Sequence, residues 1–291
     1  MRAVFDFGRA IGSLAYNAFV KKEHEPGDAI TQTYRTPDEL YRDARAANLW
    51  CPHMMFAIDV SAHNRTAGMS SFGSRCLHEI GDEKNPYEQV LELLAPIIVN
   101  IGDTTTMRAM LFAELGGNLI KPLDEEGGTF DSMDAIINRY REVVPDIRID
   151  RRISFAPVID NAIQRVEETR QYHILVILTC GGQFGNGENI AAIRNASRYP
   201  LSIIAIGVGD EQWGGMDLLD SKIDGRVFDN FHFVSFESIK REANGRFIQR
   251  PLQDVFAVRA FSELPTQFRL IESLGLIERF GEEKTQETPR T

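Results

Sequence analysis

Runs of mainly apolar residues alternate with helical patterns along this chain, in an order that predicts strands separated by helices. The apolar runs lie at 54–59, 173–178, 201–206 and 231–236, and each has the length of a buried strand. Strands that are apolar on both faces and alternate with helices are typical of a parallel sheet covered on both sides. We therefore predict an α/β fold with a doubly wound, mostly parallel sheet flanked by helices.

Capping residues mark the starts of two helices. Thr36 and Asn85 each precede a proline that suits the first helical position, and Glu39 lies where it can return the capping bond to Thr36. Apolar spacing predicts three further elements: helices at 130–143 and 157–168 and a short strand at 110–113.

The two ends of the chain differ from the middle. Helical apolar spacing at 3–20 is followed by a polar stretch, and the last residues are charged and polar. We predict an N-terminal helical extension and linker over 1–33, an α/β domain over 34–270 and a C-terminal tail over 271–291.

Composition narrows the functional classes. The 291 residues include 32 Lys and Arg against 42 Asp and Glu, a net charge of −10 that argues against a nucleic-acid or anionic-membrane binder. No apolar run approaches the roughly 20 residues of a membrane span, and the first residues do not resemble a signal peptide. Three cysteines without a CxxC pair indicate reduced thiols rather than a disulfide framework, so we expect a cytoplasmic protein.

Candidate ligand-binding residues lie where the first predicted strand ends. Ligands of open parallel sheets bind outside the carboxyl ends of the strands. Asp59, Ser61 and His63 follow that strand at alternate positions, where their side chains can converge. Carboxylate and hydroxyl oxygens suit a hard cation such as Mg²⁺.

Ordered segments over roughly residues 34–270 carry a family resemblance. The chain resembles the von Willebrand factor A-type (vWA) domain of the copine family, which is also found in plant RING-type ubiquitin ligases related to copines. The segments that carry the resemblance are Cys76-Leu77-His78, Asn85-Pro86-Tyr87-Glu88-Gln89, Arg139 to Pro145, Ser154 to Asp160, Tyr172 to Ile177, Pro200 to Ile204, Gly207-Val208-Gly209-Asp210 and Phe228-Asp229-Asn230-Phe231.

The resemblance implies a vWA fold and a divalent-cation site known as MIDAS. Asp59 and Ser61 match the first aspartate and the first hydroxyl of that site. His63 stands where the family has serine, Ile153 where it has threonine, and Cys180 where it has aspartate. We therefore predict a remnant metal site at Asp59, Ser61 and His63 and no cofactor, with Mg²⁺ at Asp59 and Ser61 as the alternative.

Other interpretations of the same residues stay open. Asp59, His63 and Cys180 are all zinc-compatible ligands, and His63 is also a candidate base for a nucleophilic Cys180. The segment 207–210 follows a strand as a dinucleotide loop does, but Gln212 stands where such a loop needs glycine.

The preferred hypothesis is a non-catalytic, metal-independent protein-interaction module, not an enzyme, that acts as a subunit of a larger intracellular assembly. The cytoskeleton is one candidate location. The alternative is a cation-dependent ligand-binding vWA domain. Candidate partner-binding residues are the basic cluster Arg148, Arg151 and Arg152 and the N-terminal aromatics Phe5 and Phe7. The sequence predicts neither nucleic-acid binding nor direct membrane insertion.

Overall fold

The computed structural model describes residues 29–278, with gaps at 32, 50–51, 103–106, 116–117, 125–126, 148–153, 182–186, 222 and 247. The helix predicted at 3–20 and the last thirteen residues of the predicted tail, 279–291, lie outside the described residues.

A six-stranded sheet forms the centre of the domain. Its spatial order is β3-β2-β1-β4-β5-β6, and every neighbouring pair is parallel except β2 and β3. The strands are β1 (His53–Asp59), β2 (Met107–Leu115), β3 (Asn118–Pro122), β4 (His173–Thr179), β5 (Leu201–Gly207) and β6 (Phe231–Ser235). The predicted α/β fold with a doubly wound, mostly parallel sheet is confirmed.

Helices connect these strands and cover both faces of the sheet. They are α1 (Pro37–Ala46), α2 (Pro86–Ile101), α3 (Met133–Val143), α4 (Ala156–Thr169), α5 (Gly187–Ala196), α6 (Gly214–Ser221), α7 (Phe236–Ala243), α8 (Leu252–Ala260) and α9 (Leu264–Ser273). None of the described helices combines the length and the apolar character needed to cross a bilayer.

The sheet divides the core into two apolar layers. Along β1, Phe56 and Ile58 join a cluster with residues of α2, α3 and α8, whereas Met55 and Ala57 face α4 and α5. The strand is apolar at successive positions because each face is buried under its own helices. This two-sided burial explains why apolar runs, rather than alternating patterns, marked the strands.

Two details depart from the sequence expectations. Strand β3 was not predicted; it is an antiparallel edge strand in which Pro122 pairs with Met110 at the end of the ladder. Thr36 caps α1 as expected, accepting the backbone N–H of Glu39 at 3.3 Å, but the Glu39 carboxylate accepts from Arg35 N at 2.8 Å rather than returning to Thr36. Asn85, by contrast, forms a complete capping box with Glu88.

Buried residues extend beyond both ends of the predicted 34–270 segment. Ile30 is buried, and its backbone N–H donates to Asp229 Oδ2 at 2.9 Å. Leu276 is buried at the other end. Both residues join the packed domain.

Candidate functional site

The carboxyl ends of β1 and β4 meet at the centre of the sheet. Asp59 ends β1 and Thr179 ends the neighbouring β4. The chain leaves β1 toward β2 on one side, whereas β4 continues toward β5 on the other. This is the point where strand order reverses and where open α/β sheets bind their ligands.

The Asp59 carboxylate is enclosed by donors from its own chain. Oδ1 accepts the backbone N–H of Ser61 at 2.8 Å. Oδ2 accepts the Thr179 hydroxyl at 2.8 Å and the Cys180 N–H at 3.1 Å, and the Cys180 thiol lies 3.5 Å away. Burial raises the pKa of Asp59, and the hydrogen bonds from Ser61, Cys180 and Thr179 oppose that effect.

Ser61 and Cys180 lie beside this carboxylate, as the sequence interpretation required. Ser61 Oγ is 3.9 Å from Cys180 Sγ, and both side chains are buried. Burial, together with the negative charge of Asp59, raises the pKa of Cys180 well above its usual value. The thiol therefore stays protonated at neutral pH and lacks the thiolate that nucleophilic catalysis needs.

Within the described residues, His63 pairs with Glu211 rather than with Asp59 or Cys180. It is exposed on a 3₁₀ helix, Ala62–Arg65, and its Nε2 lies 2.8 Å from a Glu211 carboxylate oxygen. Within the described residues, Asp59, His63 and Cys180 do not bring three ligand atoms close enough to share an ion. The geometry gives no support to the zinc interpretation or to a His63–Cys180 pair.

A buried network of polar side chains hydrogen-bonds to the backbone carbonyl of Asp59. His78 Nε2 lies 2.7 Å from the Asp59 carbonyl oxygen, and His78 Nδ1 lies 2.7 Å from the Tyr140 hydroxyl. Asn85 Nδ2 donates to that hydroxyl at 3.1 Å, and Asn64 Nδ2 donates to the Asp59 carbonyl, also at 3.1 Å. These residues lie far apart in sequence, and no sequence pattern predicted their place at the site.

The segment that resembled a dinucleotide loop holds the backbone instead. Asp210 N donates to Ala67 O at 2.8 Å, and the Asp210 carboxylate accepts the N–H groups of Ser70 and Ser71. Gly209 has a φ of +89°, and a Cβ there would lie 2.4 Å from Ala67 O. Residues 207–210 thus fix the long loop that follows Asp59.

The remaining predicted residues lie outside the part of the chain that the structure describes. Ile153, the partner-binding candidates Arg148, Arg151 and Arg152, and the aromatics Phe5 and Phe7 are all outside the described residues. Their proposed roles stay predictions.

Comparison with known proteins decides the family. A model of the copine family matches residues 76–279. The chain belongs to the copine family. The resemblance inferred from the ordered sequence segments is thereby confirmed.

Copine-family relatives carry different names. Copine family protein 1 of Caenorhabditis elegans is 35% identical over 248 residues, which cover 83% of this chain and 22% of that protein. The Arabidopsis thaliana E3 ubiquitin-protein ligase RGLG5 is 34% identical over 85% of this chain and 60% of its own length. For RGLG3 of the same plant, the identity is 31% and the coverage is 87% and 72%. The chain therefore spans less than two thirds of the first two relatives.

These names correct one expectation. The prediction that the protein is not an enzyme is wrong, because copine-family relatives matched over most of this chain are named as ubiquitin ligases, which are enzymes. The matches leave 40% of RGLG5 and 28% of RGLG3 outside the shared region.

Solved structures give a more distant likeness. The crystal structure of the SpRpn10 VWA domain aligns with a TM-score of 0.45 and 13% identity, covering 64% of this chain and 87% of that one. At that distance, no residue of the copine-family chain is assigned a role from the comparison.

Proposed function

We propose that this copine-family chain binds protein partners at the carboxyl-end edge of its sheet, and that it does so without a resident cation. The observation that carries the proposal is the state of Asp59, since both of its carboxylate oxygens already accept hydrogen bonds from the chain itself. These bonds occupy three of the about four lone-pair positions of the carboxylate, which leaves it little capacity to bind a cation.

The side chains around Asp59 also form a poor set of ligands for a hard cation. Mg²⁺ requires near-octahedral oxygen ligands. Within the described residues, Asp59 and Ser61 are the matched positions that retain oxygen donors, and the Ser61 hydroxyl faces the Cys180 sulfur. A protonated thiol is a soft and weak ligand for Mg²⁺. The donor chemistry therefore favours a site held together by hydrogen bonds.

The loop beside Asp59 supports the protein-binding part of the proposal. Asp210 fixes the backbone of residues 70 and 71, and the adjacent Met69 side chain is 62% exposed. A loop held by a rigid scaffold presents its side chains without a large ordering cost on binding. Met69 is the apolar contact that we assign to this surface.

The family relatives support recognition as the shared role. The same domain is present in proteins named copine and in proteins named ubiquitin ligase. Recognition of a protein partner is a function that both kinds of protein can use. We extend the proposal to membership in a larger intracellular assembly in the cytoplasm, with the cytoskeleton as one candidate.

Calorimetric titration of the full chain with Mg²⁺ and with Mn²⁺ tests cation independence. We expect no binding tighter than millimolar. Ser61→Ala is the test variant, and Ser70→Ala, an exposed serine of the neighbouring loop, is its matched control. Micromolar binding that disappears in Ser61→Ala and persists in Ser70→Ala would overturn cation independence.

Affinity purification with cross-linking tests the binding surface. The tagged full chain is compared with Met69→Asp and with Val99→Asp, since Val99 is 77% exposed on α2. We expect Met69→Asp to lose partners that the wild-type chain and Val99→Asp retain. Partners that survive Met69→Asp and cross-link only far from residues 60–81 would contradict the proposed surface.

A further inference from the structure

Three potential metal ligands converge at the edge of the sheet formed by β6. Asp220 lies in α6, His232 is the second residue of β6, and Glu263 immediately precedes α9. Their ligand atoms all lie within 4.8 Å of one another, and within the described residues no other group of three His, Cys, Asp or Glu side chains does so. The metal-site resemblance around Asp59 does not involve these residues.

The spacing of the three side chains suits a small tetrahedral ion. His232 Nδ1 lies 3.0 Å from Glu263 Oε1 and 3.8 Å from Asp220 Oδ1. Zinc bonds of about 2.0–2.1 Å place the corners of a tetrahedron about 3.3 Å apart. The two distances from His232 bracket that value, and the third, between the Asp220 and Glu263 oxygens, is at most 4.8 Å, so side-chain shifts alone would let the three atoms bind one ion.

The histidine is already oriented as a ligand. Nε2 of His232 donates to the backbone carbonyl of Arg259 at 2.8 Å, which directs Nδ1 toward the two carboxylates. Zinc-binding histidines characteristically donate their second ring N–H to such an acceptor, which fixes the ring. Asp220 Oδ1 is a buried atom without a hydrogen-bond partner, so it retains the capacity to bind an ion. His232 Nδ1 pairs with Glu263 Oε1, and a zinc ion would take the place of the proton between these two atoms.

The excess of carboxylates around His232 also favours a bound cation. Asp229, which pairs with the buried Arg226, is electrostatically coupled to both Asp220 and Glu263. Three carboxylates beside one guanidinium leave two negative charges in a largely buried region when His232 is neutral, and one when it is protonated. A divalent ion balances these charges, whereas protonation of His232 balances only one of them.

We propose that Asp220, His232 and Glu263 bind one zinc ion, with water as the fourth ligand. One imidazole nitrogen and two carboxylate oxygens are zinc ligands of the usual kinds. The ion would link α6, β6 and the start of α9, three segments that the pairs of His232 with Asp220 and Glu263 already bring together. It would therefore stabilise this edge of the domain.

Zinc titration of the full chain, first freed of metal by a chelator, tests the proposal. We expect one zinc per chain by metal analysis, micromolar or tighter binding by calorimetry, and a higher melting temperature with zinc. His232→Gln should weaken binding at least thirtyfold and abolish the thermal shift. The matched control Asp224→Asn, an exposed carboxyl between Asp220 and His232 in sequence, should bind as the wild type does.

Two further measurements keep the result interpretable. Asp220→Asn removes a ligand from a side chain that is 29% exposed, so it tests the site if His232→Gln fails to fold. Cobalt(II) as a probe should give a tetrahedral spectrum without thiolate absorption, unchanged by Cys180→Ser. Absence of stoichiometric zinc, zinc binding that persists in a folded His232→Gln or Asp220→Asn, or a thiolate–cobalt band would each overturn the proposal.

Discussion

The imidazole of His78 donates a hydrogen bond from Nε2 to the backbone carbonyl oxygen of Asp59, across 2.7 Å. A carbonyl can only accept, so Nε2 carries the proton. Nδ1 then accepts from the Tyr140 hydroxyl, which itself accepts from Asn85. Every member of this chain of bonds is satisfied with His78 neutral, and burial lowers the pKa of His78 to about 4.

His78 makes the stability of the domain dependent on pH. In the unfolded chain, His78 has the ordinary histidine pKa of about 6.5. Between about pH 6.5 and 4, His78 is therefore protonated in the unfolded state but neutral in the folded state. The stabilisation is fully present above pH 6.5 and is lost as the pH falls toward 4. We expect the free energy of unfolding to decrease by about 3 kcal/mol from this residue.

Urea unfolding of the wild type and of His78→Gln over this pH range isolates the effect. Glutamine cannot titrate, so its curve should fall less steeply between pH 6.5 and 4. The pKa of His173 is also lowered to about 4, mainly by burial, but that residue is present in both proteins and its contribution cancels. Two parallel curves would show that His78 does not stay neutral.

Asp59 should be required for stability. Asp59→Ala leaves the Ser61 N–H, the Thr179 hydroxyl and the Cys180 N–H without their acceptor in a buried site. Each unsatisfied buried donor costs about 1–3 kcal/mol, so we expect a loss of at least about 3 kcal/mol in urea unfolding. Asp160→Asn, on the exposed side of α4, should change stability by less than about 0.5 kcal/mol. Equal effects would refute this role for Asp59.

The two described cysteines should differ in reactivity. Cys180 is buried and its pKa is raised well above the usual value by burial and by Asp59, whereas Cys76 is partly exposed. Iodoacetamide labelling followed by mass spectrometry should modify Cys76 at least about tenfold faster in the folded protein, because the thiolate is the reacting species. Labelling in urea is the control and should remove the difference. Rapid alkylation of Cys180 in the folded chain would mean that its thiol is activated.

Gly209 should not tolerate a side chain. At its φ of +89°, an added Cβ would approach the Ala67 carbonyl oxygen to 2.4 Å and a Leu77 methyl to 2.8 Å. We expect Gly209→Ala to lower the free energy of unfolding by about 2 kcal/mol or more. Gly187→Ala, at the start of α5 with open space around it, should be neutral or slightly stabilising. Thermal melts of both variants make the comparison.

The sequence predicted the parts of the site that follow from strand order. Asp59 and Cys180 could be placed together because each follows an apolar run, and parallel strands end at the same edge of a sheet. The direction of the His63 side chain could not be predicted, because an alternate-position rule ignores the 3₁₀ turn that directs it to Glu211. Local backbone geometry decided that case.

Long-range polar pairs were beyond the sequence analysis for a different reason. His78 and Tyr140 are 62 residues apart, and no spacing rule joins them. Asp220, His232 and Glu263 likewise come from three separate segments, and the helices α6 and α9 were not predicted from the sequence. Only the packing of helices on the β6 edge brings such residues together.

The hydrogen bond from Ile30 to Asp229 has a practical consequence for anyone who shortens this protein. Trimming the chain to begin at residue 34 would remove a buried isoleucine and take one donor from the carboxylate that neutralises Arg226. Such a fragment would loosen at the amino end of β6, well away from Asp59, and would lose melting temperature while its Asp59 edge kept its shape. Domain fragments for crystallisation should therefore start before Ile30.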